Sequence, residues 1–155
     1  MKRDSRLSRT LHALLHMADA GRALTSEELA QMLFTNAVVV RRTMAGLREA
    51  KLVRSTKGHG GGWELARPLA KIHLVDVYEA LAEPTVFAIG TEIESPGCLV
   101  EKAVHATVAG AFAEAEAVLM AKFREVTLAD IAAGVHATGH RLGTPQKPKS
   151  KGIRP

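Results

Sequence analysis

Between the segments LVRST and WELAR the chain runs KGHGGG, with four glycines inside residues 58–62. Glycine weakens helices and strands, and is at home where a chain turns tightly or meets another backbone closely. The two flanks alternate, with Val53 and Ser55 set against Trp63 and Leu65. That pattern predicts two paired strands. Residues 52–66 are therefore expected to form a β-hairpin whose tip is flexible and carries Lys57 and His59.

What precedes the hairpin has helical period. Leu7, Leu11, Leu14 and Ala18 recur on one face of a helix over 5–20, with Asp4 or Ser5 as its cap and Gly21 as its stop. Thr25-Ser-Glu-Glu28 reads as a capping box opening a short helix over 26–33. Phe34-Thr35-Asn36 is a turn, and a third helix runs over 37–50 with Val40, Met44 and Leu47 inward. A tight link between the second and third of three helices matches a helix-turn-helix.

Beyond the hairpin, residues 73–82 predict a helix with Leu74, Val77, Tyr78 and Leu81 on one face. Residues 83–97 hold Pro84, Gly90, Pro96 and Gly97 and read as a loop. A long helix follows over about 99–124, and Thr127-Leu-Ala-Asp130 opens a last short one. Residues 143–155 combine three prolines and four cations with almost no apolar content, the composition of a disordered tail.

Charge is segregated along the chain. Residues 1–60 carry eleven Lys/Arg against five Asp/Glu, residues 61–142 six against eleven, and residues 143–155 four against none. A basic first third beside an acidic middle suggests a polyanion-binding end and a separate non-binding end. With 155 residues, 46% of them apolar, the chain can bury a core of its own. A single cysteine allows no internal disulfide. The opening MKRDSRLSRTLHALLHMADAG has no cleavable signal architecture, and no apolar run is taken to approach a membrane span. A cytoplasmic protein without a membrane partner is the expectation.

Taken in order, NAVVVRRTMAGLREAKLVRS, KGHGGGWELARP, IHLVDVYEAL, CLVE and VTLADI resemble the Rrf-two (BadM-related) family of bacterial winged-helix regulators over about residues 3–133. The resemblance implies a mainly α fold with a small β-hairpin. A winged helix-turn-helix domain over 1–82 would be followed by a loop over 83–98. A dimerisation helix and short C-terminal helix would then fill 99–135. It also implies a cytoplasmic homodimer that binds double-stranded DNA and regulates transcription, as a repressor, on a near-palindromic operator. Three departures stand out. Iron–sulfur members resemble this chain but carry three cysteines before the long helix, where only Cys98 stands here, so no cofactor and no metal are expected. Lys51 occupies the usual glycine at the end of the third helix. His73 replaces the usual Thr or Ser at the start of the fourth.

On this reading the N-terminal part of the third helix enters the major groove. Arg42 faces outward and is the candidate for guanine, with Arg41 on the flank for phosphate. Ala45 and Gly46 share the outward face. Val38 and Val39 have two readings, contact with thymine methyls or packing on the second helix or the wing. Thr25, Ser26 and Asn36 are candidate phosphate donors as well as helix caps. Lys57 and His59, with Gly60 leaving the backbone bare, would approach the minor groove. Arg6 is a further phosphate candidate, and Arg9 is read as a solvated charge.

In the long helix Val100, Val104, Val108, Ala111, Ala115 and Val118 form a near-heptad stripe assigned to the dimer interface. Leu99, Phe112, Leu119 and Phe123 form a second stripe for the domain. Cys98, just before this helix, is either a redox-sensing thiol or an inert cysteine. The pairs His12/His16 and His136/His140 supply two ligands each, short of a metal site. No phosphate loop or nucleophile–base motif is apparent, so an enzyme is not expected. Two alternatives remain open at this point: a winged-helix protein-interaction module, and a repressor sensing a small ligand between the fourth helix, the 83–97 loop and the long helix.

Overall fold

The computed structural model describes residues 5–82 and 97–137. Asp4, most of the 83–97 loop, His140 and the 143–155 tail lie outside them. The elements are α1 (Arg6–Ala20), α2 (Ser26–Met32), α3 (Ala37–Glu49), β1 (Val53–Thr56), β2 (Gly62–Leu65), a 3-10 turn at Leu69–Lys71, α4 (Leu74–Ala80), α5 (Leu99–Glu125) and α6 (Leu128–Ala137). The fold is mainly α with one two-stranded antiparallel hairpin.

Local capping chemistry sets most helix ends. Thr25 Oγ1 accepts the Glu28 N–H at 3.1 Å, and the Glu28 carboxylate accepts the Thr25 N–H at 2.8 Å. Glu28 also pairs with Arg22 at 2.7 Å. The Arg22 hydrogen bond first, then the Thr25 N–H, hold its carboxyl at about 2. Thr127 and Asp130 repeat the reciprocal cap at α6, with Asp130 accepting the Thr127 N–H at 2.8 Å. His73 offers less than Thr or Ser, but Asp76 accepts its N–H at 2.8 Å. Gly21 ends α1 in the left-handed region at φ 62°. Ser5 stands at the N-cap of α1 without a side-chain capping bond.

The end of α3 is more strained. Lys51 adopts φ 57°. Its N–H donates to Arg48 O and the Leu52 N–H donates to Leu47 O, both at 2.9 Å, the paired bonds of a Schellman closure. Arg67 reaches back and donates to the carbonyls of Ala50 and Lys51 at 3.0 and 3.1 Å. A Cβ in this conformation costs about 1–2 kcal/mol, part of which glycine returns as unfolded-chain entropy. Lys51→Gly is therefore expected to stabilise the protein by about 0.5–1 kcal/mol. A urea midpoint that rises at unchanged slope checks this, and a midpoint that falls refutes it.

The core joins the helices to the hairpin. Leu14, Leu24, Leu29, Met44, Leu47, Leu52, Ile72 and Leu128 are all fully buried. Val40, Met44 and Leu47 are the inward face of α3, as their spacing predicts. The face of α1 is wider than the stripe through Leu7 and Leu11. Thr10, Ala13, His16 and Met17 are buried beside Leu14, because α1 meets three elements, β2, α4 and α6. His16 lies against His12, with their Nε2 atoms 2.7 Å apart. Burial first, and then His12, lower the His16 pKa.

Grouped by sequence with the long helix, α6 packs on the winged-helix core instead. Leu128 is fully buried, its N–H donates to Ile72 O at 2.9 Å, and the Leu74 N–H donates to Val126 O at 3.0 Å. By contrast, α5 has no fully buried residue. It rests on α4, with the Phe123 ring edge-on to Tyr78 at 5.9 Å, and Phe112 and Leu119 are half-buried. Leu99 leaves that domain-facing stripe and is 80% exposed. The membrane-span expectation also needs correcting. An 18-residue window of α5 has mean hydropathy 1.2, enough by length and composition to cross a membrane. Eight alanines in 99–125 supply much of that apolarity, without any long aliphatic run to announce it.

Candidate nucleic-acid interface

The candidate interface is built from α2, the turn at 33–36, α3 and the hairpin. Asn36 Oδ1 accepts the Val39 N–H at 2.9 Å and so starts α3. The turn closes with the Thr35 N–H donating to Ala30 O at 3.0 Å, and Phe34 takes φ 50° and is 67% exposed. This geometry leaves the first turn of α3 at the surface. Its free N–H groups and dipole favour an anion there.

The outward residues divide. Val38 is 70% exposed, and Arg41 and Arg42 are exposed. Val39 is 39% exposed and lines a cavity that Arg42 borders and Arg6 also reaches. Arg41 is ion-paired with Glu27 of α2. Exposed pairs of this kind contribute about 0–1 kcal/mol, so a phosphate can compete for the guanidinium. Gly46 does not belong to the outward face. A Cβ there would stand 3.0 Å from Ala80 O, so the position serves the close approach of α3 to α4.

Ser26 is also placed differently from the sequence reading. It is buried, and its hydroxyl accepts the Trp63 Nε1–H at 3.0 Å. The side chain ties α2 to the hairpin and is not presented to a phosphate. Thr25 is half-buried, with its hydroxyl committed to the cap. Leu24 joins the same anchor by exchanging two backbone hydrogen bonds with Trp63, at 2.9 and 2.8 Å. The hairpin is therefore flanked by a third, single-residue bridge. Leu24, Trp63 and Arg67 make these long-range bonds, and no local spacing signals them.

The hairpin pairs Val53 with Leu65, Arg54 with Glu64, Ser55 with Trp63 and Thr56 with Gly62. An ion pair between Arg54 and Glu64 at 2.7 Å crosses the strands. Its glycines do two jobs. Gly58 and Gly60, at φ 97° and 79°, turn the tip in open space. Gly61 and Gly62 have backbone where a side chain would go: a Cβ would fall 2.5 Å from Thr56 O and from Leu24 O respectively. Lys57 and His59 are exposed at the tip.

At the other end, Cys98 is exposed at the N-cap of α5. Of the stripe assigned to a partner, Val100, Val104 and Val118 are 72%, 57% and 73% exposed, and Ala111 and Ala115 are exposed too. Val108 is half-buried.

Comparison with known proteins agrees with this architecture. Residues 3–134 match the model of the Rrf2 family, described as an iron-dependent transcriptional regulator. Two candidate HTH-type transcriptional regulators of Bacillus subtilis (strain 168) are similar. YwnA is 27% identical over 128 residues, 83% of this chain and 95% of that protein. YwgB is 41% identical over 59 residues, which span only 38% of each chain. Among solved structures, a candidate transcriptional regulator from Lactobacillus plantarum superposes with a TM-score of 0.72 at 26% identity, covering 87% of this chain and 92% of that one. CymR (YrzC), the global cysteine regulator of B. subtilis, shares the fold with a TM-score of 0.63 at 19% identity, covering 86% and 98%.

The described residues do not fit an iron site. No three of their His, Cys, Asp and Glu side chains form a group able to hold a metal ion. Cys98 is the sole cysteine of the chain, and His12 with His16 offers two nitrogens where a protein metal site takes three or four ligands. The chain belongs to the Rrf2 family of transcriptional regulators.

Proposed function

We propose that this transcription regulator reads a near-palindromic duplex site as a cytoplasmic homodimer. In this reading α3 lies in the major groove, the 57–60 wing tip meets the minor groove, and α5 pairs with its copy. The observation that carries it is the pair of exposed surfaces on opposite roles of the fold. Val38, Arg41 and Arg42 stand out from the first turns of α3, and the Val100, Val104 and Val118 stripe stands out from α5. An apolar stripe of this length is rarely left to water in a soluble monomer. Small alanines beside the valines let a second helix approach closely.

Arg42 has no ion-pair partner among the described residues, so its guanidinium can form the bidentate pair with guanine O6 and N7. Val38 is placed for a thymine methyl. Asn36 and Thr25 hold helix N-termini toward phosphate, and Arg41 and Arg6 add charge. Ser26 is omitted because its hydroxyl anchors Trp63. Cys98 is exposed at the N-cap of α5, and we assign it no role.

The test is selection of a DNA site from a random pool, followed by binding of Arg42→Ala. We expect a twofold-related site, with half-sites one helical turn or a multiple apart. The variant should lose about 1–3 kcal/mol and relax selectivity at one base pair per half-site. Uniform weakening across all sequences would make Arg42 a phosphate contact instead. A pool that yields no sequence at all would point to a winged protein-interaction module.

A further inference from the structure

A cavity of about 440 Å³ opens between α1, α3 and the last turn of α4. Sites for small molecules span roughly 300–1,000 Å³. Arg6, Arg9 and Arg42 reach its lining, Leu33, Val39 and Thr43 are among its walls, and no carboxylate of the described residues lines it. The arginines are partly held in place: Arg9 donates to Ser5 Oγ at 3.0 Å and Arg6 to Leu81 O at 3.5 Å. Backbone bounds the cavity at one side, where Gly46 of α3 sits so close to Ala80 that a Cβ would stand 3.0 Å from its carbonyl oxygen. Helix-to-helix contact of that kind does not close or open by a side-chain rotation, so the space is largely preformed.

Apolar walls beside the guanidinium groups of Arg9 and Arg42 select an anion with an apolar body. Arginine binds carboxylates through two parallel N–H bonds, which adds geometry to charge. We propose that this cavity binds a small organic acid, a carboxylate on an apolar body, and that occupancy draws Arg42 away from DNA. The second half rests on the reading of Arg42 as the base-contacting residue. One guanidinium cannot serve a guanine edge and a carboxylate at once, so the two ligands compete for it. That difference in affinity between the DNA-bound and free states is what allows a small molecule to shift the equilibrium.

The full chain is melted with benzoate and with hexanoate. Benzamide serves as the uncharged counterpart, and inorganic phosphate as an anion without an apolar body. At about ten times the dissociation constant, the acids should raise the melting temperature by about 3–5 °C, with little effect from benzamide or phosphate. Thr43→Leu, which fills the cavity, and Arg9→Gln, which removes one cation, should each abolish or strongly reduce the shift. In DNA-binding assays the acids should weaken wild-type binding tenfold or more and leave Thr43→Leu unaffected. No shift with either acid overturns the site, as does an equal shift with benzamide, with phosphate or in both variants. A shift without any change in DNA affinity overturns the competition for Arg42. Absence of DNA binding before any acid is added overturns the regulator reading, and leaves the melting result to stand or fall by itself.

Discussion

Val104→Glu combined with Val118→Glu is expected to turn a dimer into a folded monomer that binds an operator roughly a hundredfold or more weakly. The two valines lie fourteen residues apart on α5, at equivalent positions of the proposed seam. They are 57% and 73% exposed in the single chain. Neither takes part in the ring contact by which α5 meets the domain, Phe123 on Tyr78, and Phe112 and Leu119 are the half-buried residues of the other stripe. The monomer should therefore lose no more than about 0.5 kcal/mol. In the dimer each new carboxylate would face its own copy or an apolar neighbour, and an uncompensated buried charge costs about 3–5 kcal/mol. Losing the second half-site also removes the effective concentration that links the two recognition helices. Sedimentation equilibrium reads the mass, and titration of one operator reads the affinity. A variant that remains dimeric, or wild-type protein that is already monomeric, would falsify the placement of the seam on this stripe. The same surface has the length and apolarity of a membrane helix, and the substitution pair discriminates here as well. A wild-type protein that stays in solution as a dimer fills the stripe with a second copy.

The second large effect is expected at Gly62. Substitution by alanine should destabilise the protein by roughly 2–3 kcal/mol and weaken DNA binding through loss of a fixed wing. The new Cβ would lie 2.5 Å from Leu24 O and 2.6 Å from Leu24 C. These are backbone atoms of a fully buried residue, so no rotamer relieves the clash. Relief requires moving β2 away from Leu24, which stretches the two hydrogen bonds between Leu24 and Trp63 and pulls the indole from Ser26 Oγ. Gly58→Ala provides the comparison. It meets nothing within 4 Å and carries only the strain of φ 97°, which is worth about 1 kcal/mol. Urea unfolding of both variants decides the matter. Equal, small losses would show that β2 yields easily and that the anchor to α2 is weak.

These two positions show where reading the chain succeeds and where it stops. Gly58–Gly62 announces a turn and the alternation of its flanks gives the register, because both depend on neighbours along the chain. That Gly62 is crowded and Gly58 is not depends on Leu24, thirty-eight residues earlier. Ser26 illustrates the same limit. Its place beside a capping threonine makes it look like a phosphate donor, and only the fold shows its hydroxyl turned to an indole thirty-seven residues away. Gly46 looks outward on a helical wheel until α4 is placed against it.

The amino-acid order alone determined the elements, the reciprocal caps at Thr25 and Thr127 and the buried face of α3. Each arises from interactions three to five residues apart or from the period of apolar side chains, and so it is written in the chain itself. The tertiary structure decided which exposed residues are available. It committed Ser26 and Arg67 to anchoring, paired Arg41 with Glu27, moved α6 into the core, and set three arginines around one cavity. Those outcomes follow from packing between elements distant in sequence, where a side chain takes whatever partner burial and hydrogen bonding bring to it.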